Sequence, residues 1–205
     1  MTEALVAGLL AGYGIAVPVG AVATYLVALT ARTSWRVGAG AALGVAAADG
    51  LYALVAVLGG AALTGLLQPV VVPLRWLSAL VLAGLAARTA WTALRRFRSP
   101  AATRAETPPG PAGAFLLLLG ITLLNPTTVV YFTALVLGRG ETHWSAWAEG
   151  GYVLAAFLAS VSWQLLLVAG GSLLGRLLTG PRGRLATALG SAALITGLAV
   201  DLVLT

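Results

Sequence analysis

The chain has 205 residues, 60% of them hydrophobic and only 9% charged, and its formal charge of +6 comes with arginine as its sole basic residue besides His143. A soluble domain is about a quarter charged, so this composition points to an all-α integral membrane protein and away from a nucleic-acid partner, the pI near 10.8 notwithstanding. Cysteine is absent and His143 lies in a polar stretch. Disulfides, thiolate metal sites and thiol redox chemistry are thereby excluded, a histidine metal site is disfavoured, and no cofactor is expected.

In chain order, the Met-Thr-Glu start lacks the basic region of a signal peptide, and the apolar run after it is too long for one. It reads instead as the first of six spans, at 4–30, 37–64, 74–94, 113–137, 150–175 and 185–204. Each is long enough to carry a helix across about 30 Å of hydrocarbon. Only turn chemistry around Leu67-Gln68-Pro69 divides the second span from the third. The proline-rich, charged stretch 95–112 reads as a flexible cytoplasmic linker between a three-helix repeat at 1–94 and another at 113–205, within one transmembrane domain. Nine arginines (32, 36, 95, 96, 98, 104, 176, 182 and 184) fall on one side. Arg75 and Arg139 fall on the other, with Arg88 inside the third span. The positive-inside rule makes the nine cytoplasmic and both termini external. Trp35, Trp76, Trp91, Trp144 and Trp147 fall at span ends, where amphipathic rings favour the headgroup level, while Trp163 is mid-span.

Two prolines interrupt this apolar pattern. Aligning Pro18 with Pro126 brings Gly12 and Gly120 together, each six residues upstream. Three spans per half invert the second half relative to the first, so the expected architecture is a pair of inverted repeats with broken first and fourth helices. Proline removes an amide and clashes with the carbonyl four residues back, here that of Thr122 for Pro126. Asparagine before proline suits an N-cap followed by a first helical position. Asn125-Pro126 is therefore expected to open a half-helix, with the Thr127 and Thr128 hydroxyls at the same end. Pro18 is expected to open its counterpart, with Gly14 and Gly20 permitting close backbone approach. Helix N-termini at the midplane favour an anion.

Asp49 is the carboxylate within the second span. At mid-span it costs about 2.5–3.5 kcal/mol on insertion scales, and such residues are functional candidates for proton transfer or cation pairing. The plainer reading is a protonated Asp49 on a neighbouring carbonyl, or an ion pair with Arg88. Tyr25, Tyr131, Ser160, Ser162, Trp163 and Gln164 are candidates to line a cavity, although individually each is more often a helix-packing or interhelical hydrogen-bonding residue.

Read together, PVGA at 18–21, AADGLYAL at 47–54, RWLSALVLAGLAARTAW at 75–91, TLLNP at 122–126 and ASVSW at 159–163 resemble the LysE/RhtB family of amino-acid exporters. The resemblance implies a six-span, multi-pass exporter of the bacterial inner membrane driven by an ion gradient, with substrates such as basic amino acids, homoserine or threonine. Where the lysine branch commonly has a Gln-Asn pair after the glycine-alanine, this chain has Val22 and Ala23. The expected function is a secondary transporter, not an enzyme, that exports an amino acid or similar small zwitterion. The expected substrate-binding residues are Pro18, Gly20, Asp49, Asn125, Pro126, Thr127, Tyr131 and Trp163, with Asp49 also coupling the ion. A homodimer is left open. The alternatives are a divalent metal-cation exporter, which would want several oxygen ligands, and a membrane enzyme or assembly factor, which would want convergent polar groups.

Overall fold

Where no water reaches the backbone, amides must be satisfied inside their own segment, and every regular element among the described residues is α-helical. The computed structural model describes residues 1–18, 20–59, 62–98, 109–125, 128, 131–132, 144–177 and 181–204. Its helices are α1 (Thr2–Ala16), α2 (Ala21–Arg32), α3 (Trp35–Gly59), α4 (Ala62–Arg98), α5 (Pro111–Leu123), α6 (Ala146–Leu177) and α7 (Pro181–Leu204). Thr128, Tyr131 and Phe132 are helical as well. Local chemistry sets several of the starts. The hydroxyl of Ser34 accepts from the Val37 N–H ahead of α3, and that of Ser145 accepts from the Ala148 N–H ahead of α6, both at 3.4 Å. Pro111 opens α5, where its missing N–H costs nothing.

By length and apolar composition, Trp35–Leu58 and Ala146–Leu174 can each cross a bilayer, and α1 with α2 makes a third crossing if that pair, bent by 74°, is one broken span. Small residues bring the helices together. A Cβ on Gly8 or Gly12 would run into the carbonyls of Tyr152 or Ala156, so α1 lies directly on α6. A Cβ on Gly40 or Gly44 would meet the carbonyls of Pro111 or Phe115, so α3 lies as closely on α5. In both pairs residue numbers rise together, and the helices are parallel. Gly38 against Val168 and Gly50 against Phe157 show that α3 and α6 are antiparallel. The helices α4 and α7 form the remaining extensive pair. Two apolar clusters result: one around Leu26, Leu82, Leu118, Val168 and Ile195, the other around Ala11, Ala53, Phe132 and Ala156.

Three local expectations change. The helix α4 runs without interruption through Leu67-Gln68-Pro69, and the second and third spans divide after Gly59 instead. The sequence there is Gly59-Gly60, whose backbone entropy disfavours helix, while Pro69 is absorbed within α4, as membrane helices allow. Pro18 does not open its half-helix: Val17 is the C-cap of α1, Gly20 is the N-cap of α2, and Pro18 stands in the break between them. The stretch expected as linker is helical at its two ends, 95–98 and 111–112, while 99–108 lie outside the described residues. Pro126, Thr127, Arg139, Glu141 and His143 also lie outside them.

Candidate functional site

Both breaks fall where the prolines place them, and each leaves a defined set of backbone groups. At the α5 end, the carbonyl of Thr122 is the one Pro126 cannot serve, and the Asn125 N–H donates to it at 3.1 Å. The next carbonyl, of Leu123, accepts from the Tyr52 hydroxyl of α3 at 2.6 Å. The Asn125 carbonyl in turn accepts from the Thr128 N–H at 3.1 Å, a bond typical of a first helical turn. The unwound segment is thus satisfied partly by itself and partly by a side chain from a neighbouring helix.

The first break is treated differently. Gly20 is extended, with φ −99 and ψ −169, and no side chain caps the amides of α2. The Gly20 carbonyl already accepts from both the N–H and the hydroxyl of Thr24 at 3.0 Å, so α2 is well started. Among the described residues, a Cβ on Gly20 would meet no atom within 4 Å, so the expected close approach is absent there. At Gly14 the close approach is real, because a Cβ there would collide with the Tyr131 hydroxyl. That hydroxyl donates to the Ala11 carbonyl at 3.0 Å and ties the segment after the second break to α1 before the first.

Asp49 sits on α3 between these features and is 2% exposed. The Ser160 hydroxyl of α6 donates to its Oδ2 at 2.7 Å. Tyr52, one turn along α3, and Tyr131 both lie within electrostatic reach of this carboxyl. Tyr52 stacks on Phe132 at 5.9 Å, and Phe132 meets Tyr131 edge-on at 5.5 Å, so the three rings form one wall. Arg88 lies on an exposed face of α4, and α4 packs mainly on α7.

The helix α6 presents two faces to the site. Phe157, Ser160 and Val168 face α3, as their contacts with Gly50, Asp49 and Gly38 show, and Gln164 continues that stripe. Tyr152, Ala156 and Ala159 face α1, and Gly171 faces α2 at Val27 and Thr30. Trp163 follows Ala159 by one turn on this second stripe. Ser162 donates to the Ala159 carbonyl at 2.8 Å, so its oxygen accepts from Tyr13, also 2.8 Å away. Three buried polar atoms, Thr122 Oγ1, Trp163 Nε1 and Gln164 Oε1, have no hydrogen-bond partner among the described residues.

Asp49 and Tyr131 lie within electrostatic reach of each other, Tyr52 joins the Asp49 face of α3 to the second break at Leu123, and Pro18 is exposed within the first break. Tyr52 and Thr122 were not singled out as site residues by sequence reasoning. The available signal for Tyr52 was its position one turn after Asp49, on the same helix face.

The family model of the LysE type translocator matches residues 14–205. The chain belongs to that family. This LysE type translocator is accordingly a membrane protein of a transporter family. No curated protein and no solved structure matches it.

Proposed function

We propose that this translocator is a secondary transporter that exports a small zwitterionic metabolite, an amino acid or a close relative, across the bacterial inner membrane at the expense of an ion gradient. The observation that carries the reading is Asp49, buried against Ser160 at the crossing of α3 and α6 with a broken helix on either side. A carboxylate in that position suits a substrate ammonium or an exchanged proton. The uncapped amides of α2 behind Gly20 suit the substrate carboxylate. The indole N–H of Trp163, unpartnered among the described residues, adds a donor of the same sense. Tyr131 closes the side toward α1. Asn125, with Pro126 and Thr127, would supply the second helix start.

The architecture that goes with this reading is six spans in two inverted three-helix repeats, 1–94 and 113–205, joined by the cytoplasmic stretch 95–112, with both termini external. Packing supports it. Exchanging the halves maps the parallel pair α1 and α6 onto the parallel pair α5 and α3, and maps the α3–α6 and α4–α7 pairs onto themselves. The serine caps of α3 and α6 exchange as well. Alternating access then follows from rocking one repeat against the other across the Asp49–Ser160 contact.

Counterflow in proteoliposomes tests the function. A panel of amino acids, with divalent metals as control, should show exchange of one or a few amino acids and none of the metals. Metal exchange without amino-acid exchange would overturn the reading.

A further inference from the structure

One turn beyond Ser160, α6 carries a buried polar side chain, Gln164, that no role yet uses. Gln164 lies on α6 four residues after Ser160, so the two side chains share a face. Helical side chains lean toward the N-terminus of their helix. The amide of Gln164 is thereby carried toward Ser160 and the Asp49 carboxyl rather than away from them. The residue is 4% exposed, and its Oε1 is buried without a hydrogen-bond partner among the described residues. A buried acceptor left unmet is unfavourable, and native interiors leave few of them. An unmet acceptor one helical turn from the serine that holds a buried carboxyl calls for a cationic donor that uses both.

The geometry points to Gln164 Oε1 as the second acceptor, beside Asp49, for a primary ammonium group held between α3 and α6. This rests on the reading that Asp49 meets a substrate ammonium, and it makes Gln164 a specificity-determining residue. An ammonium carries three N–H donors, so a carboxylate oxygen and an amide oxygen satisfy two of them. A quaternary ammonium has none to offer and would leave Gln164 unmet. A hard metal cation wants more oxygens than this pair supplies, and the Ser160 proton is already turned toward Asp49. The site therefore selects primary ammonium groups over quaternary ones.

The test uses the purified full-length protein, with methylammonium chloride as probe and tetramethylammonium and sodium chloride at equal ionic strength as comparisons. Thermal unfolding should shift upward with methylammonium and not with the other two. Gln164→Leu removes an unmet buried acceptor, so without probe it should unfold at the same temperature or higher. Its apparent affinity for methylammonium should nevertheless fall roughly tenfold or more, the loss of one hydrogen bond to a charged group. Gln164→Ala should lose the response equally, and Asp49→Asn should lose it too. Retention of the response in both Gln164 variants, with loss in Asp49→Asn, would overturn the role of Gln164 and leave that of Asp49 standing. A lower unfolding temperature for probe-free Gln164→Leu would also overturn it, by showing that the amide is structural. Wild-type protein that answers to sodium but not to methylammonium would replace the ammonium site with a metal-ion site. Alanine counterflow in the same preparation reads the export function separately, so a protein that binds methylammonium without exchanging alanine keeps the inference.

Discussion

Replacing Asp49 by asparagine keeps the side chain's shape and removes its charge. Ser160 can still donate to the amide oxygen, as it does to Oδ2 over 2.7 Å, so the α3–α6 crossing should hold. Gradient-driven export should fall by roughly tenfold or more, since a charge-assisted contact is worth about 1.5–3 kcal/mol. Export at the wild-type rate from equal amounts of inserted protein would reduce Asp49 to a packing residue. Ser160→Ala makes the complementary change. It leaves the carboxyl in place and deletes its donor, which should cost about 1–3 kcal/mol of stability. Ser160→Thr retains the hydroxyl and should recover most of that loss, as thermal unfolding of the two variants would show. The charge of Asp49 was legible in the sequence because a carboxyl stands out in an apolar run. Its partner was not. Ser160 and Ser162 sit two positions apart in SVSWQ, and only the register of α6 turns Ser160 toward Asp49 and Ser162 toward Tyr13.

At the scale of elements, the breaks were legible and their repair was not. A proline's missing amide is a local property, and helices end near Pro18 and before Pro126, although Pro69 is carried inside α4. The cap on the Leu123 carbonyl comes from Tyr52, 71 positions away, and exists only because Gly40 and Gly44 let α3 lie against α5. Tyr52→Phe should therefore lower stability by about 1 kcal/mol, with the aromatic stack on Phe132 kept. Because the lost bond holds the unwound segment, hydrogen exchange at residues 123–128 should speed up more than in α4 or α7. Uniform acceleration through the chain would contradict a local role for this hydroxyl. The glycines give a sharper contrast. Gly12→Val forces a Cβ into the Ala156 carbonyl and should separate α1 from α6, costing about 1–3 kcal/mol or more. Gly20→Ala meets no neighbour within 4 Å among the described residues, so it should cost only the few tenths to about 1 kcal/mol of a poorer N-cap.

At the scale of the whole molecule, orientation and relative helix direction come from unrelated sources. The proposed cytoplasmic side rests on charge alone, on the nine arginines in the stretches after the expected first, third and fifth spans. Relative direction comes from packing: α1 runs parallel to α6, α5 parallel to α3, and α3 antiparallel to α6. Spans that alternate from an external N-terminus reproduce those three relations. The first and fifth both run inward, while the second and fourth both run outward. The chain has no cysteine, so single cysteines can be introduced without background. A cysteine at Arg98, at the end of α4, should stay unlabelled by an impermeant thiol reagent in intact cells and become labelled once the membrane is permeabilised. One at Thr2, at the start of α1, should be labelled in both conditions. Labelling of both positions from outside would break the six-span path, because Thr2 and Arg98 are separated by three crossings. The reverse pattern, with position 98 labelled and position 2 protected, would keep the path and invert the protein. In that case the arginine bias would have failed as a guide while the helix packing stood, since packing fixes directions only relative to one another.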